Sequence, residues 1–287
     1  MVYFIIHAIA VALFSLGYKI AERKQGCHAP AVLLVMYLVA AACSLPLAAA
    51  YEGFVADWRL IAIGLAGGVA LFVAMRTFFV AMAQGGLAIG WTFVSLAVVI
   101  PVVASIWIWR EIPNGWQIGG LLLMIPCILL FGDLHLSIRG SASRWVLLVA
   151  AASVFTGLTQ ITNIAVGRLP VVLADGVPGT GVFNFLAWLF VPGVVGLIGL
   201  GEWRTCRLVS AETATGAVMG VLNVVITWTF VKALETMPGV VFFPMKAIFG
   251  VVLTATLAML FWRERVTPRQ LIGILVGALS VLLVNIK

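Results

Sequence analysis

The sequence predicts an all-α membrane protein: ten transmembrane helices arranged as two inverted five-helix repeats. Three observations predict it. First, the chain has 287 residues, of which 63% are hydrophobic and only 9% charged, whereas a soluble domain carries about a quarter charged residues. Second, the apolar residues gather into runs close to the roughly 20 residues that a helix needs to cross a bilayer. Third, one string of residues occurs twice. Trp109-Arg110-Glu111, Gln117 and Gly120 return as Trp262-Arg263-Glu264, Gln270 and Gly273, with an offset of 153 at all five positions.

In order, the runs lie at about 2–20, 31–50, 59–82, 86–108, 115–132, 145–167, 180–200, 213–233, 239–261 and 270–286. Turn residues separate them, among them Gln84-Gly85-Gly86, Ile112-Pro113-Asn114-Gly115, Met237-Pro238-Gly239 and Thr267-Pro268. The runs do not alternate and are longer than barrel strands, which excludes a transmembrane β-barrel. The first run has no basic stretch before it and no small-x-small site directly after it, so it reads as a first spanning helix rather than a cleaved signal peptide.

The duplication divides the chain into residues 1–140 and 141–287, five runs each. Five is odd, so the second half enters the membrane the other way up, and the repeats are inverted. The match extends beyond the opening string. Gly64 and Gly68 pair with Gly216 and Gly220, and Thr77, Phe78 and Ala81 with Thr229, Phe230 and Ala233, all at offset 152. At offset 141, Phe14-Ser15 matches Phe155-Thr156 more weakly. Glycines four apart share a helix face and let helices approach closely.

Composition also excludes functions. The formal net charge is +7, with most cations between apolar runs. That placement fits anionic lipid headgroups and not a nucleic acid. The four cysteines form no CxxC pair, and the three histidines complete no metal-ligand spacing. The common enzyme signatures are absent. The expectation is a protein that is not an enzyme and uses neither metal nor cofactor.

Charge inside a bilayer is costly and therefore informative. Arg76 and Lys246 both fall within runs, about 10 Å along their helices from the nearer turn. Either they snorkel to the interface or they face a wet cavity and meet an anionic group. No Asp or Glu falls in mid-run, which weakens a reading as a proton-coupled cation exporter. The sixth run carries Ser153, Thr156, Gln160 and Asn163 on one face. Asn184, Asn223, Tyr37 and Ser15 add polar groups elsewhere, and Trp91 and Trp228 lie deep enough to stack on a ligand. Each has a structural alternative, as interhelical glue or core packing. Phe243-Pro244, just before Lys246, marks either an irregular start to the ninth run or a simple proline near a first turn.

Two five-span halves, each ending in an aromatic-x-Glu followed by a Gly-rich span, resemble the drug/metabolite transporter superfamily, and its EamA-type members most. Leu96 to Pro101 with Trp109-Arg110-Glu111 and Gly119-Gly120, and Val251 to Phe261 with Glu264 and Gly273, carry the resemblance. It implies a ten-helix basket in which spans 1–4 and 6–9 surround a cavity, with spans 5 and 10 outside as the surface of a homodimer. Such relatives usually have Trp-Gly where this chain has Phe14-Ser15, and Pro101 has no counterpart in the ninth span. Those departures bear on the substrate rather than on the fold.

The expected function is a secondary transporter of a small polar metabolite, anionic or zwitterionic, such as an amino acid or related compound. It would work by alternating access in the plasma membrane (the inner membrane of a bacterium). Lys246 and Arg76 would hold an anionic group, and the polar face of the sixth span with Asn184 would orient the remainder. The rivals are an exporter of hydrophobic or cationic drugs and, from another class, a passive pore or a scaffold that transports nothing. An even number of spans puts both termini on one side. Loop charge favours the outside, whereas the family resemblance implies the cytoplasm.

Overall fold

The computed structural model describes residues 2–23, 29–85, 94, 96–131, 142–173, 176, 178–201, 210–262 and 268–286. Among them the chain is almost wholly helical: α1 (Val2–Arg23), α2 (Ala29–Tyr51), α3 (Trp58–Gly85), a 3-10 turn (Leu96–Val98) leading into α4 (Val99–Trp107), α5 (Gly115–Phe131) and α6 (Ala142–Arg168). A two-residue antiparallel hairpin follows, β1 (Val171–Val172) with β2 (Pro178–Gly179). Then come α7 (Val182–Leu189), α8 (Val191–Gly199), α9 (Ser210–Leu234), α10 (Gly239–Trp262) and α11 (Pro268–Val284). Among the described residues, five stretches are long and apolar enough to cross a membrane: Pro30–Tyr51, Trp58–Ala81, Ser143–Arg168, Val182–Gly199 and Glu212–Leu234. Large apolar side chains such as Leu147, Leu122 and Leu275 remain exposed, as a lipid-facing surface requires.

Local chemistry explains the helix ends. α5 begins with a reciprocal capping box. Asn114 Oδ1 accepts from the Gln117 amide at 2.9 Å, and Gln117 Oε1 accepts from the Asn114 amide at 3.0 Å. α7 and α8 meet at Phe190, and Pro192 occupies the start of α8, where no helical N–H is needed. α10 runs unbroken through Pro244, so the proline does not fragment this helix.

Two compact units divide the chain, each drawing on both sequence halves: Met1–Val73 with Thr162–Glu235, and Ala74–Ile161 with Thr236–Lys287. The division falls inside α3 and α6, each of which is one continuous helix.

In the first unit, glycines set the helix spacing. A Cβ on Gly216 would stand 2.8 Å from the Val32 carbonyl oxygen, and one on Gly220 2.7 Å from that of Met36. A Cβ on Gly64 would stand 3.1 Å from the Phe185 carbonyl oxygen, and one on Gly68 would strike that of Leu189. The glycine pairs differ by 152 in number and their partners by 153. The same contact is therefore made twice, with the sequence halves exchanged.

The second unit repeats this relation. The Ser280 hydroxyl donates to the Gly120 carbonyl at 2.6 Å, and the Cys127 thiol to the Gly273 carbonyl at 3.3 Å. Gly120 and Gly273 differ by 153, as do Cys127 and Ser280. A Cβ on Gly120 would meet the Ser280 carbonyl oxygen at 2.8 Å, so α5 and α11 pack with nothing between them at this point.

Candidate functional site

Lys246 lies two residues past Pro244 in α10, half-buried. Its helix packs on α11 through Met245, whose sulfur accepts from Asn285 Nδ2 at 3.4 Å, and through Ile248, which lies against Gly277. At about 100° per residue, Lys246 lies about 100° round the helix from Met245 and about 160° from Ile248, and so points away from α11. Gly250, one turn on, shares its face. Among the described residues nothing lies within 4 Å of a Cβ built on Gly250.

The depth of Lys246 follows from its neighbours in the same unit. α10 packs along α4 and the Leu96–Val98 turn. At its start, Gly239 abuts Ser105, and the Val240 amide donates to Glu111 Oε2 at 3.0 Å. Seven residues on, about 10 Å at 1.5 Å per residue, Lys246 comes level with the first turn of α4. There Ile100 packs on Gly157 of α6. Gly157 stands beside Thr156 and less than one turn from Gln160, so Lys246, Thr156 and Gln160 share a depth in this unit.

The polar residues of α6 behave differently from one another. The Ser153 hydroxyl donates to the Val149 carbonyl at 2.8 Å, and the Thr159 hydroxyl to that of Phe155 at 3.0 Å. Both bonds stay within the helix. Gln160 and Asn163 are 9% and 7% exposed, and their carboxamide oxygens have no hydrogen-bond partner.

The other sequence candidates are dispersed. Arg76 leaves α3 about 140° round the helix from Ala81, which packs on Trp145 and Val149 of α6. It is therefore directed away from the α6 polar face. Asn184 is fully engaged in the fold. Its backbone N–H and Nδ2 donate to Glu52 Oε2 at 3.0 and 2.9 Å, Nδ2 also donates to the Gly53 carbonyl, and Oδ1 accepts from the Val55 amide. Trp228 is packed between Tyr3 and Phe183, with ring centroids 5.7 and 6.2 Å away. Tyr37 is fully buried, with its ring under Gly193. The Ser15 hydroxyl donates to the Ala12 carbonyl at 2.6 Å. Asn223 Nδ2 reaches only the Met36 sulfur, at 3.9 Å. Trp91 lies outside the described residues.

Glu52 is a residue that sequence reasoning passed over. It is 8% exposed, and its carboxylate accepts from the backbone amides of Phe183 and Asn184, at the start of α7, at 3.0 Å. Gly181, the residue before that helix, is left-handed at φ 58° and supplies no side-chain cap. A distant carboxylate therefore does what a Ser or Asp usually does locally. The sequence held one sign of this: α7 begins without a capping residue. His7 is similarly hidden in α1, with Nδ1 3.0 Å from the Ile226 carbonyl oxygen. Among the described residues no cluster of side chains suits a metal ion.

Comparison with known proteins yields fold and no function. No protein-family model matches the chain, and no curated protein does. A solved structure described only as "Crystal structure of protein" superposes with a TM-score of 0.77 at 14% identity, over 99% of this chain and 95% of that one. At that identity the likeness concerns the fold alone. Fold and composition together are compatible with an integral membrane protein.

Proposed function

We propose that the protein is a secondary transporter of the drug/metabolite type, moving a small anionic or zwitterionic metabolite across a plasma membrane by alternating access. The observation that carries this reading is Lys246: a cation within an apolar helix, turned from its packing partner α11. A cation within a spanning helix is costly and marks a substrate or ion pathway. In the proposal the Lys246 ammonium contacts the anionic group of the substrate, and Thr156 and Gln160, at the same depth, contact its polar body.

The exchanged contacts support the architecture that such transport uses. Two pairs of glycine contacts and one pair of hydrogen bonds recur when the halves are swapped at offsets of 152–153. That is the expected result of a duplicated five-span unit, and five spans per unit invert one copy relative to the other. The test is flux into proteoliposomes, with candidates first found by thermal shift, because a ligand that binds only the folded state raises its melting temperature. Saturable uptake of a carboxylate-bearing metabolite, inhibited by its analogues, is expected. Linear, unsaturable flux would make the protein a pore, and no flux with any ligand would make it a scaffold.

A further inference from the structure

Four helix ends of the second unit meet at one level. α4 ends at Trp107 and α5 begins at Gly115. Glu111, in the turn between them, accepts from the Val240 amide at the start of α10 at 3.0 Å. Asn114 Nδ2 donates to the Ile286 carbonyl, just past the end of α11, at 3.0 Å. In a bundle of spanning helices such a level is where hydrocarbon gives way to headgroups. The turn is held on both sides: the Glu111 amide donates to the Ser105 carbonyl at 3.2 Å, and Asn114 and Gln117 close their capping box. Its apolar side chains nevertheless stand out. Trp107 is 79% exposed, Ile108 61%, Ile112 89% and Trp116 61%.

Arg110 sits in the middle of this patch. It is exposed, and its backbone is left-handed at φ 57°. The other left-handed positions described, Gly53, Gly176, Gly181 and Gly201, are all glycine, the residue that takes this conformation without steric cost. A strained position that keeps a long cationic side chain points to a use for that side chain. The neighbouring Glu111 carboxylate is engaged with α10, and among the described residues no ion pair includes Arg110. We infer that the α4–α5 turn is a docking surface for anionic phospholipid headgroups, with the Arg110 guanidinium on the phosphate and Trp107 and Trp116 seated at the glycerol level. The guanidinium fork matches phosphate oxygens, and indole rings favour this interfacial zone. Ile108 and Ile112 then meet lipid instead of water. In phosphatidylcholine the choline offsets the phosphate charge, whereas an anionic lipid leaves it for the protein to meet. A leaflet is a surface, so the match rests on a cation and aromatics at one level, which the helix ends provide. The inference stands apart from the transport reading.

The experiment uses purified protein in neutral detergent. Without lipid, Arg110→Gly should melt at or above the wild-type temperature, since glycine adopts a left-handed φ without strain. A clear fall would make the guanidinium a fold contact and overturn the inference. Affinities for dioctanoyl phosphatidylglycerol and dioctanoyl phosphatidylcholine are then measured by native mass spectrometry. A basic residue at an anionic membrane surface contributes about a fivefold factor in affinity. Wild type should therefore prefer phosphatidylglycerol by about that factor, and Arg110→Gly should lose the preference and leave phosphatidylcholine binding unchanged. Arg110→Lys, which keeps the charge, should retain most of it. Trp107→Ala combined with Trp116→Ala should weaken both lipids alike. Equal wild-type affinity for the two lipids, or an undiminished preference in Arg110→Gly, overturns the inference. Displacement of the lipid by glycerol 3-phosphate at equal concentration also overturns it, and makes Arg110 a site for soluble phosphates. A dimer that the paired Trp variant dissolves, with lipid binding unchanged, overturns it too and makes the turn a protein contact. Each of these outcomes leaves the transport reading as it stands.

Discussion

Glu52→Ala should destabilise the protein by about 3 kcal/mol. In the wild type one carboxylate accepts from two backbone amides at the start of α7 and from the Asn184 side chain, at 2.9–3.0 Å. Losing a helix cap costs about 0.5–2 kcal/mol. A hydrogen bond to a charged group contributes about 1.5–3 kcal/mol, and a carboxylate at a helix N-terminus adds about 0.3–1 kcal/mol. The Asn184 amide keeps its bond to Gly53, which tempers the total. Three kcal/mol is roughly a hundredfold in the ratio of folded to unfolded protein. Glu52→Gln keeps an acceptor and loses the charge, so about half the effect should remain. The assay is denaturant unfolding of the detergent-solubilised protein followed by tryptophan fluorescence. Asn184→Ala completes a double-mutant cycle, and residues in one hydrogen-bond network should couple by about 1 kcal/mol. If Glu52→Ala lies within about 0.5 kcal/mol of wild type, or the two changes add without coupling, the carboxylate does not hold this helix.

The glycines give an internal contrast. Gly220→Ala places a methyl 2.7 Å from the Met36 carbonyl, and Gly68→Ala drives one against that of Leu189. Each should cost about 1–3 kcal/mol, because backbone cannot step aside. Gly250→Ala meets nothing within 4 Å among the described residues and should stabilise its helix by roughly 0.5–1 kcal/mol; equal melting temperatures for all three variants would refute the packing account. On the surface, a hydrogen bond from the Arg59 guanidinium, 2.7 Å away, holds the Asp57 carboxyl below its ordinary range. A depressed folded pKa gives stability that is present above the unfolded value and lost as pH falls through the folded one. Wild type and Asp57→Asn should therefore converge in acid. Above the carboxylate range they should differ slightly in favour of wild type, and only at low salt, since the pair is exposed. A large or salt-insensitive difference would contradict this.

Much of the fold was legible because lipid imposes a length on every apolar run. The run at 145–167 became Ala142–Arg168 and that at 239–261 became Gly239–Trp262. The seventh run is broken at Phe190, just before the Pro192 that opens α8. The repeated string was visible, whereas its work was not. Glu111 caps α10, Gln117 closes a capping box and Gly120 admits α11. These roles depend on which helix lies alongside, and spacing along one helix does not contain that information. The candidate site was legible in kind and less so in membership. Lys246 and the α6 carboxamides remain candidates on continuous helices, α10 and α6. Asn184, Trp228 and Tyr37 had the right chemistry but are spent on contacts with Glu52, Phe183 and Gly193. Arg76 satisfied the depth argument and misses on direction, which depth alone does not fix.

The account turns on Lys246, and the most direct test is binding and uptake by wild type, Lys246→Ala and Lys246→Arg at equal expression, using the anionic substrate that the thermal-shift screen identifies. Losing one partner of a buried charge pair costs about 2–5 kcal/mol, so alanine should weaken binding at least thirtyfold or so and abolish saturable uptake. Arginine should fall between alanine and wild type, since guanidinium keeps the charge but differs in shape and hydration. Unchanged affinity and uptake in Lys246→Ala would mean that the ammonium reaches the lipid interface and holds no substrate, and the proposed site would be wrong.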